Sequence, residues 1–227
     1  MKKKIINVFR TPFADREHIM DFMIGGIFTF FPVINLISLG YLGTKLKKSI
    51  QQDKTPVKWD ENFKELFITG FFLFVIWLSY LIIPFLLILL GGNLILTLSG
   101  GKFFSLFYFR GQILNLLGAI SLLAAIYFLP FAICVYLEEK DLKMAFKLEK
   151  ITEKIFLVIK EYSIAYLITI GLLTISISLI FLFMNWIIGF LLSGFIFFYD
   201  GLVITGLFSK IFPRKGITIS LLEISDK

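Results

Sequence analysis

Asp200 is the residue whose position most suggests chemistry, because it ends the longest uncharged stretch of the chain. It lies ten positions before Lys210, or about 15 Å along a straight helix. Within a membrane, an acid at that depth costs about 2.5 to 3.5 kcal/mol on insertion scales, and such acids often mark ion or proton paths. Polar residues of other apolar stretches could complete a protonatable site with it: Asn35, Tyr80 and Asn115. An acid facing a watery crevice, or held by a local tyrosine such as Tyr199, explains it equally well.

A second cluster surrounds the only histidine, His18, with carboxylates at Asp15, Glu17 and Asp21. One histidine is weak support for a metal site, and a solvated helix start explains the cluster more simply. A membrane enzyme acting on lipid headgroups would also need Asp60 and Glu61, in a spacing that no acid-base or metal mechanism demands. The sequence lacks the H-E-x-x-H, P-loop and dinucleotide-binding patterns. We therefore predict no catalytic residue, metal or cofactor.

The lysines of segment 138–161 have a spacing typical of a membrane surface. They recur at intervals of four, three and four residues, which predicts one face of a helix: Lys143, Lys147, Lys150 and Lys154. Apolar residues occur at other positions of the same segment, at Phe146, Leu148, Ile151 and Ile155. We therefore expect the helix to lie at the interface with its lysines toward anionic headgroups.

Segment 45–65 has a related design, so the two segments look like a repeat. Trp59, Phe63 and Leu66 follow Pro56 at helical spacing. We expect a second interfacial helix here, with Trp59 contacting the headgroup region.

Four uncharged stretches must position these residues, at 22–44, 66–101, 111–137 and 162–199. Because about 20 apolar residues cross a bilayer, they predict a polytopic membrane protein. A hydrophobic content of 58% and a mean hydropathy of +0.88 exclude a soluble globule. The net charge of +7 comes from lysines and arginines between the apolar stretches, which the positive-inside rule explains without nucleic acid.

The later stretches divide into helices and turns. We predict a span over 66–90 ending at Gly91 and Gly92, a loop over 93–110, and a span over 113–137 with a kink at Pro130. The last stretch is too long for one helix, and we expect it to turn at 184–186.

The first stretch can be one span or a hairpin that turns at 31–35. A hairpin leaves only Lys102 and Arg110 opposite the other cationic residues of the chain, so the positive-inside rule favours it. Its arms, 19–31 and 33–46, are short for a bilayer. We therefore expect a partly inserted, re-entrant turn with Pro32 and Asn35 buried in the protein interior.

Several short motifs occur in an order that resembles a known family. They are Pro12-Phe13-Ala14-Asp15, Ile24-Gly25-Gly26, Pro32-Val33-Ile34-Asn35, Leu39-Gly40-Tyr41-Leu42, Pro56, Trp59-Asp60, Leu129-Pro130 and Phe198-Tyr199. Over 12–212 the chain resembles the domain of unknown function 4013 family of archaeal and bacterial membrane proteins. The resemblance implies a polytopic membrane fold and assigns no chemistry to any residue.

The sequence as a whole predicts an all-α polytopic membrane bundle. It would have about five to six membrane-inserted helices arranged as hairpins and two cytoplasmic interfacial helices, with one domain over 1–212 and a polar tail over 213–227. We expect a non-enzymatic, multi-pass plasma-membrane protein with both termini cytoplasmic. Its expected partners are anionic membrane lipid or another protein, including a second copy of the chain, and not nucleic acid. The alternative is a small transporter or channel using Asp200.

Overall fold

The computed structural model describes residues 8–13, 15–53, 55–59, 63–97, 104–183 and 187–213. Seven α-helices have both ends within these residues, and residues 8–10 are helical as well. No strand occurs among these residues. The helices are α1 Arg16–Phe30, α2 Asn35–Gln51, α3 Phe63–Thr97, α4 Phe104–Glu139, α5 Leu148–Leu157, α6 Ile159–Phe183 and α7 Ile187–Ile211. Two short 3₁₀ helices lie at Thr11–Phe13 and Leu142–Phe146. The all-α prediction is confirmed.

Four segments are long and apolar enough to cross a membrane: Phe63–Gly92, Arg110–Glu139, Ile159–Phe183 and Leu192–Ile211. Large apolar side chains project outward from them, such as Leu123 at 64% and Leu167 at 68% exposure. A surface of this kind suits lipid and not water. The structure therefore supports four of the predicted spans, and α1 and α2 are too short to be counted with them.

The helices α1 and α2 form the predicted hairpin. Ser38 Oγ donates to the carbonyl oxygen of Gly25 at 3.0 Å, and Tyr41 Oη donates to Asp21 at 2.6 Å. Residue 25 thus faces 38 and residue 21 faces 41, the pairing expected of antiparallel helices joined at 31–34. A single continuous helix would hold Asp21 and Tyr41 about 30 Å apart.

The hairpin turn itself differs from the prediction, because Pro32 and Asn35 are exposed and not buried in the protein. The turn satisfies part of its own backbone: Phe31 N–H donates to Phe28 and Asn35 N–H to Phe31, at 3.3 and 2.7 Å. Since these groups already have partners, the turn does not need other helices to cover them.

Two glycines bring the hairpin against the first long span. A methyl group on Gly40 would collide with the carbonyl oxygen of Leu66, and one on Gly70 with that of Leu36. Only glycine allows the backbones of α2 and α3 to approach this closely.

The helices α3 and α4 are longer than predicted. Gly91 and Gly92 do not end α3, which continues to Thr97, and α4 begins at Phe104. A Cβ on Gly91 would meet Asn115 on α4, so this glycine serves close packing and not helix termination. The predicted loop over 93–110 is therefore wrong for most of its length, and α4 continues through Pro130.

Some predictions fall on residues that the structure does not describe. The turn at 184–186 is one, although α6 ends at Phe183 and α7 begins at Ile187 on either side of it. The polar tail is another, since all of it beyond Pro213 lies outside the described residues.

The two charged segments are not single amphipathic helices. The first begins as the last turns of α2, which ends at Gln51, and then runs without helix through 55–59. The second is split into the 3₁₀ helix Leu142–Phe146 and α5, with Lys147 between them. Asp141 caps the 3₁₀ helix by accepting a hydrogen bond from the Lys143 N–H at 3.0 Å.

Both charged segments lie at one end of the bundle, which we call the basic end. It contains the C-terminal ends of α4 and α7, because Lys154 on α5 contacts both Glu138 on α4, at 2.6 Å, and the carbonyl oxygen of Pro213, at 3.4 Å. It also contains the C-terminal end of α2, because Ser49 lines a cleft together with Ser209 and Lys210 of α7. The sequence that separates α1 from α2, α3 from α4 and α6 from α7, at 31–34, 98–103 and 184–186, contains one charged residue, Lys102.

Candidate functional site

Asp200 is buried between α6 and α7, with 1% of its surface exposed. Ser176 on α6 donates a hydrogen bond to Asp200 Oδ1 at 3.0 Å. The other oxygen, Oδ2, has no hydrogen-bond partner among the described residues. The hydrogen bond to Oδ1 therefore connects the two spans α6 and α7.

The structure does not bring the predicted partners of Asp200 to it. Asn35 is exposed next to the hairpin turn. Tyr80 donates to the carbonyl oxygen of Ala145 at 2.7 Å, and Asn115 Oδ1 is buried beside Gly91 without a partner in the described part of the chain. The four polar residues lie at separate places in the bundle and form no common site.

A polar cluster that sequence reasoning missed surrounds Asp21 near the basic end. Asp21 accepts hydrogen bonds on both oxygens, from Tyr41 Oη at 2.6 Å and Trp59 Nε1 at 2.9 Å. The two rings stack with centroids 4.1 Å apart and planes within 2° of parallel. A hairpin that turns about residue 31 places residues 21 and 41 opposite each other. This register is the feature of the sequence from which the contact between Asp21 and Tyr41 could have been predicted.

Trp59 is therefore not the predicted headgroup contact. It is 8% exposed because 55–59 folds back over the hairpin instead of starting a helix. Its indole N–H is taken by Asp21. Burial, followed by the hydrogen bond to Asp21, raises the pKa of the Tyr41 hydroxyl.

The four lysines predicted to face lipid divide into two pairs. Lys154 is 7% exposed, lies 2.6 Å from Glu138 and stands 4.3 Å from the Phe212 ring centroid. Lys150 lies 2.6 Å from Glu139. These two lysines hold α5 against the end of α4, which differs from the predicted headgroup role.

The other two lysines remain at the surface. Lys143 belongs to the 3₁₀ helix and Lys147 follows it, and both are exposed. The four residues do not share one helical face, since the chain changes direction at Lys147.

His18 contacts one of the carboxylates predicted near it. Its Nδ1 lies 2.7 Å from Asp15 Oδ1, which also accepts the His18 N–H at 2.9 Å as the cap of α1. These hydrogen bonds lower the pKa of the Asp15 carboxyl. Asp60 and Glu61 lie outside the described residues. Among those described, no three histidine, cysteine or acidic residues are grouped to hold a metal.

Beside His18 lies a cleft of about 250 Å³, which we call the acid-lined cleft. Its charged or titratable lining residues are Glu17, His18, Asp21, Tyr41, Lys45, Lys48 and Asp53. Lys48 also holds its wall in place, because its Nζ donates to the carbonyl oxygens of Thr55 and Pro56 at 3.4 and 2.9 Å.

A second cleft of about 170 Å³ lies between α2, α7 and the start of the described chain. We call it the hydroxyl-lined cleft, and its polar lining residues are Lys45, Ser49, Thr205, Ser209 and Lys210. No acid contributes to its described lining. Lys45 and Ser49 line both clefts.

Lys45 is the charged group between the two clefts. Its ammonium lies 5.8 Å from the Tyr41 ring centroid and makes no hydrogen bond or ion pair with any described residue. Burial lowers the pKa of Lys45, and Asp21 and Asp15 oppose that shift. A half-buried ammonium of this kind can bind an anion that enters from solvent or lipid.

Comparison with known proteins gives one match. A family model described as "Protein of unknown function (DUF4013)" matches residues 24–209. The chain belongs to this family. The DUF4013 match confirms the resemblance seen in the sequence motifs, and it includes α2, α3, α4, α5 and α6 in full. No curated protein and no solved structure matches the chain.

The match covers most of the geometry described above, including Asp21's partners and Lys45. Asp21 itself, with Asp15, Glu17 and His18, precedes the matched residues. The DUF4013 description assigns no activity, so the arrangement of charged groups must carry any functional argument.

Proposed function

We propose that this is a non-enzymatic, multi-pass plasma-membrane protein whose basic end lies at the cytoplasmic surface and engages anionic lipid. The observation that carries the proposal is the charge distribution, with the charged connections at one end of a bundle of four span-length helices. Cytoplasmic connections retain lysine and arginine, and the cytoplasmic leaflet is negatively charged. Both termini then lie on the cytoplasmic side, where a partner protein or a second copy could also bind.

Of the four lysines predicted to contact headgroups, Lys143 and Lys147 are the better placed for this contact. Both are exposed, whereas Lys150 and Lys154 are neutralised by Glu139 and Glu138. A lysine near an anionic surface contributes about 1 kcal/mol, so the two exposed lysines together account for about 2 kcal/mol.

The test is a lipid titration of the full chain in dodecyl maltoside micelles. The half-saturating concentration is measured from the rise in melting temperature, for phosphatidylglycerol and for phosphatidylcholine. We expect phosphatidylglycerol to stabilise at lower concentration, and a Lys143→Gln/Lys147→Gln variant to bind it roughly thirtyfold more weakly, as 2 kcal/mol implies. High salt should reduce the difference between the lipids.

The matched control is Lys143→Arg/Lys147→Arg, which retains both charges and should bind as the original chain does. Equal stabilisation by the two lipids would contradict the proposal. An unchanged response of the glutamine variant would show that these two lysines are not the contact.

A transporter or channel is the second candidate, supported by the unpartnered Oδ2 of the buried Asp200. Intramembrane acids often serve proton or ion paths. In proteoliposomes containing a pH-sensitive dye, this function predicts proton uptake that is lost in Asp200→Asn and kept in Asp53→Asn, an exposed acid at the basic end. Equal uptake by the Asp200→Asn variant and the original chain would remove Asp200 from the mechanism.

A further inference from the structure

We propose that the two clefts joined at Lys45 bind one zwitterionic phospholipid headgroup of the phosphoethanolamine type, with its phosphate in the hydroxyl-lined cleft and its ammonium in the acid-lined cleft. This inference rests on the basic end lying at the headgroup level, as in the proposed function. It differs from the proposed function in the residues that bind the lipid and in the class of lipid that they select.

The hydroxyl-lined cleft has the groups that a phosphate requires. Lys45 and Lys210 supply positive charge, and hydroxyl groups lie beside them at Ser49, Thr205 and Ser209. Phosphate oxygens accept charge-assisted hydrogen bonds from such donors. Because its described lining holds no acid, an anion entering this cleft meets no like charge there.

Thr205 gives independent support for a ligand in this cleft. It is 7% exposed, and its hydroxyl makes no hydrogen bond with a described residue, unlike Thr169 and Thr174 on α6, which donate to carbonyl oxygens of their own helix. The Thr205 hydroxyl oxygen is not one of the fully buried side-chain atoms that lack a partner, so it opens into the cleft that the residue lines. A phosphate oxygen bound there could accept a hydrogen bond from this hydroxyl.

The acid-lined cleft has the opposite preference. Glu17, Asp21 and Asp53 line it together with two lysines. Asp21 is occupied by Tyr41 and Trp59, whereas the Glu17 carboxylate has no hydrogen-bond partner in the described part of the chain. A primary ammonium group could donate to Glu17, and a free anion would be repelled by the three carboxylates.

Lys45 explains why one molecule should fill both clefts. It lines each of them, so a phosphate beside its ammonium lies at the boundary with the acid-lined cleft. In a phosphoethanolamine headgroup, two carbon atoms separate the phosphate ester oxygen from the nitrogen, which suits neighbouring clefts of opposite preference.

The experiment titrates the full chain in dodecyl maltoside micelles with phosphatidylethanolamine, phosphatidylglycerol or inorganic phosphate, again reading the lipid-induced rise in melting temperature. We expect Lys45→Met to raise the half-saturating concentration of phosphatidylethanolamine about tenfold, as loss of one charge-assisted hydrogen bond implies, and Lys45→Arg to restore binding. Glu17→Gln should weaken binding of phosphatidylethanolamine and leave that of phosphatidylglycerol unchanged.

The matched control is Lys47→Met, which removes the same charge from the same helix at a position that lines neither cleft. If Lys45→Met binds phosphatidylethanolamine as tightly as the original chain does, the proposed site is wrong. A Lys45-dependent response to phosphatidylglycerol as strong as that to phosphatidylethanolamine would overturn the role of the carboxylates, and an equal response to inorganic phosphate would overturn the lipid as the source.

Failure here is distinguishable from failure of the proposed function. If only Lys143→Gln/Lys147→Gln changes a lipid response, the basic end binds anionic lipid and this headgroup site is wrong. If only Lys45→Met does, the site is correct and the surface role of Lys143 and Lys147 is wrong.

Discussion

Asp21 and Asp200 are two acids inside the helix bundle, and they differ in burial and in the number of hydrogen bonds that their carboxyl groups accept. Asp21 is only half-buried, yet it accepts hydrogen bonds on both oxygens from two large aromatic side chains. Asp200 is almost fully buried and accepts one hydrogen bond from the described residues, donated by Ser176. Depth in an apolar stretch therefore does not identify the better organised polar site, because organisation depends on donors that other parts of the chain supply.

The largest effect that this comparison predicts is for Asp21→Ala. The substitution leaves the Tyr41 hydroxyl and the Trp59 indole N–H buried without an acceptor, and each such group costs about 1 to 3 kcal/mol. We expect the free energy of unfolding to fall by about 3 kcal/mol. Equilibrium unfolding in mixed micelles of dodecyl maltoside and sodium dodecyl sulfate measures it.

Two variants sharpen that result. Trp59→Phe retains an aromatic ring in the stack and removes one donor, so it should cost about half as much as Asp21→Ala. Glu153→Ala truncates an exposed acid on α5 and should change stability by less than about 0.5 kcal/mol. If Trp59→Phe costs as much as Asp21→Ala, ring packing and not hydrogen bonding holds 55–59 on the hairpin.

The sequence predicted the fold better than the site because the fold depends on charge and hydrophobicity summed over many residues. Charge bias over many residues selected the hairpin about residue 31, and apolar length selected the later spans. Gly91 misled the assignment of the end of α3 because a glycine that stops a helix in water can instead admit a neighbouring helix, here at Asn115. Helix periodicity alone cannot separate these two uses.

The candidate site failed for a more local reason. Lys150 and Lys154 have the spacing of a lipid-facing stripe. The chain reversal at 140–147 instead brings them into ion pairs with Glu139 and Glu138. Trp59 has the spacing of a helix start, but its indole N–H donates a hydrogen bond to Asp21, which lies 38 residues away in the sequence. In the sequence Lys45 resembles the neighbouring Lys47 and Lys48, and its position between the two clefts distinguishes it.

The smallest effect in the comparison is expected at the other acid, for Ser176→Ala. It removes the one hydrogen bond that Asp200 accepts from the described residues, and side-chain hydrogen bonds between membrane helices contribute only about 0.6 kcal/mol on average. Ser178→Ala is the matched control, since that exposed hydroxyl donates to the carbonyl oxygen of Thr174 in its own helix, and the same micellar unfolding assay measures both. A loss for Ser176→Ala as large as that for Asp21→Ala would reverse the comparison, because it would mean that one hydrogen bond inside the bundle stabilises the protein as much as the two donors around Asp21. A small loss, with α6 and α7 still packed, would mean that the hydrogen bond from Ser176 to Asp200 is not what holds these helices together.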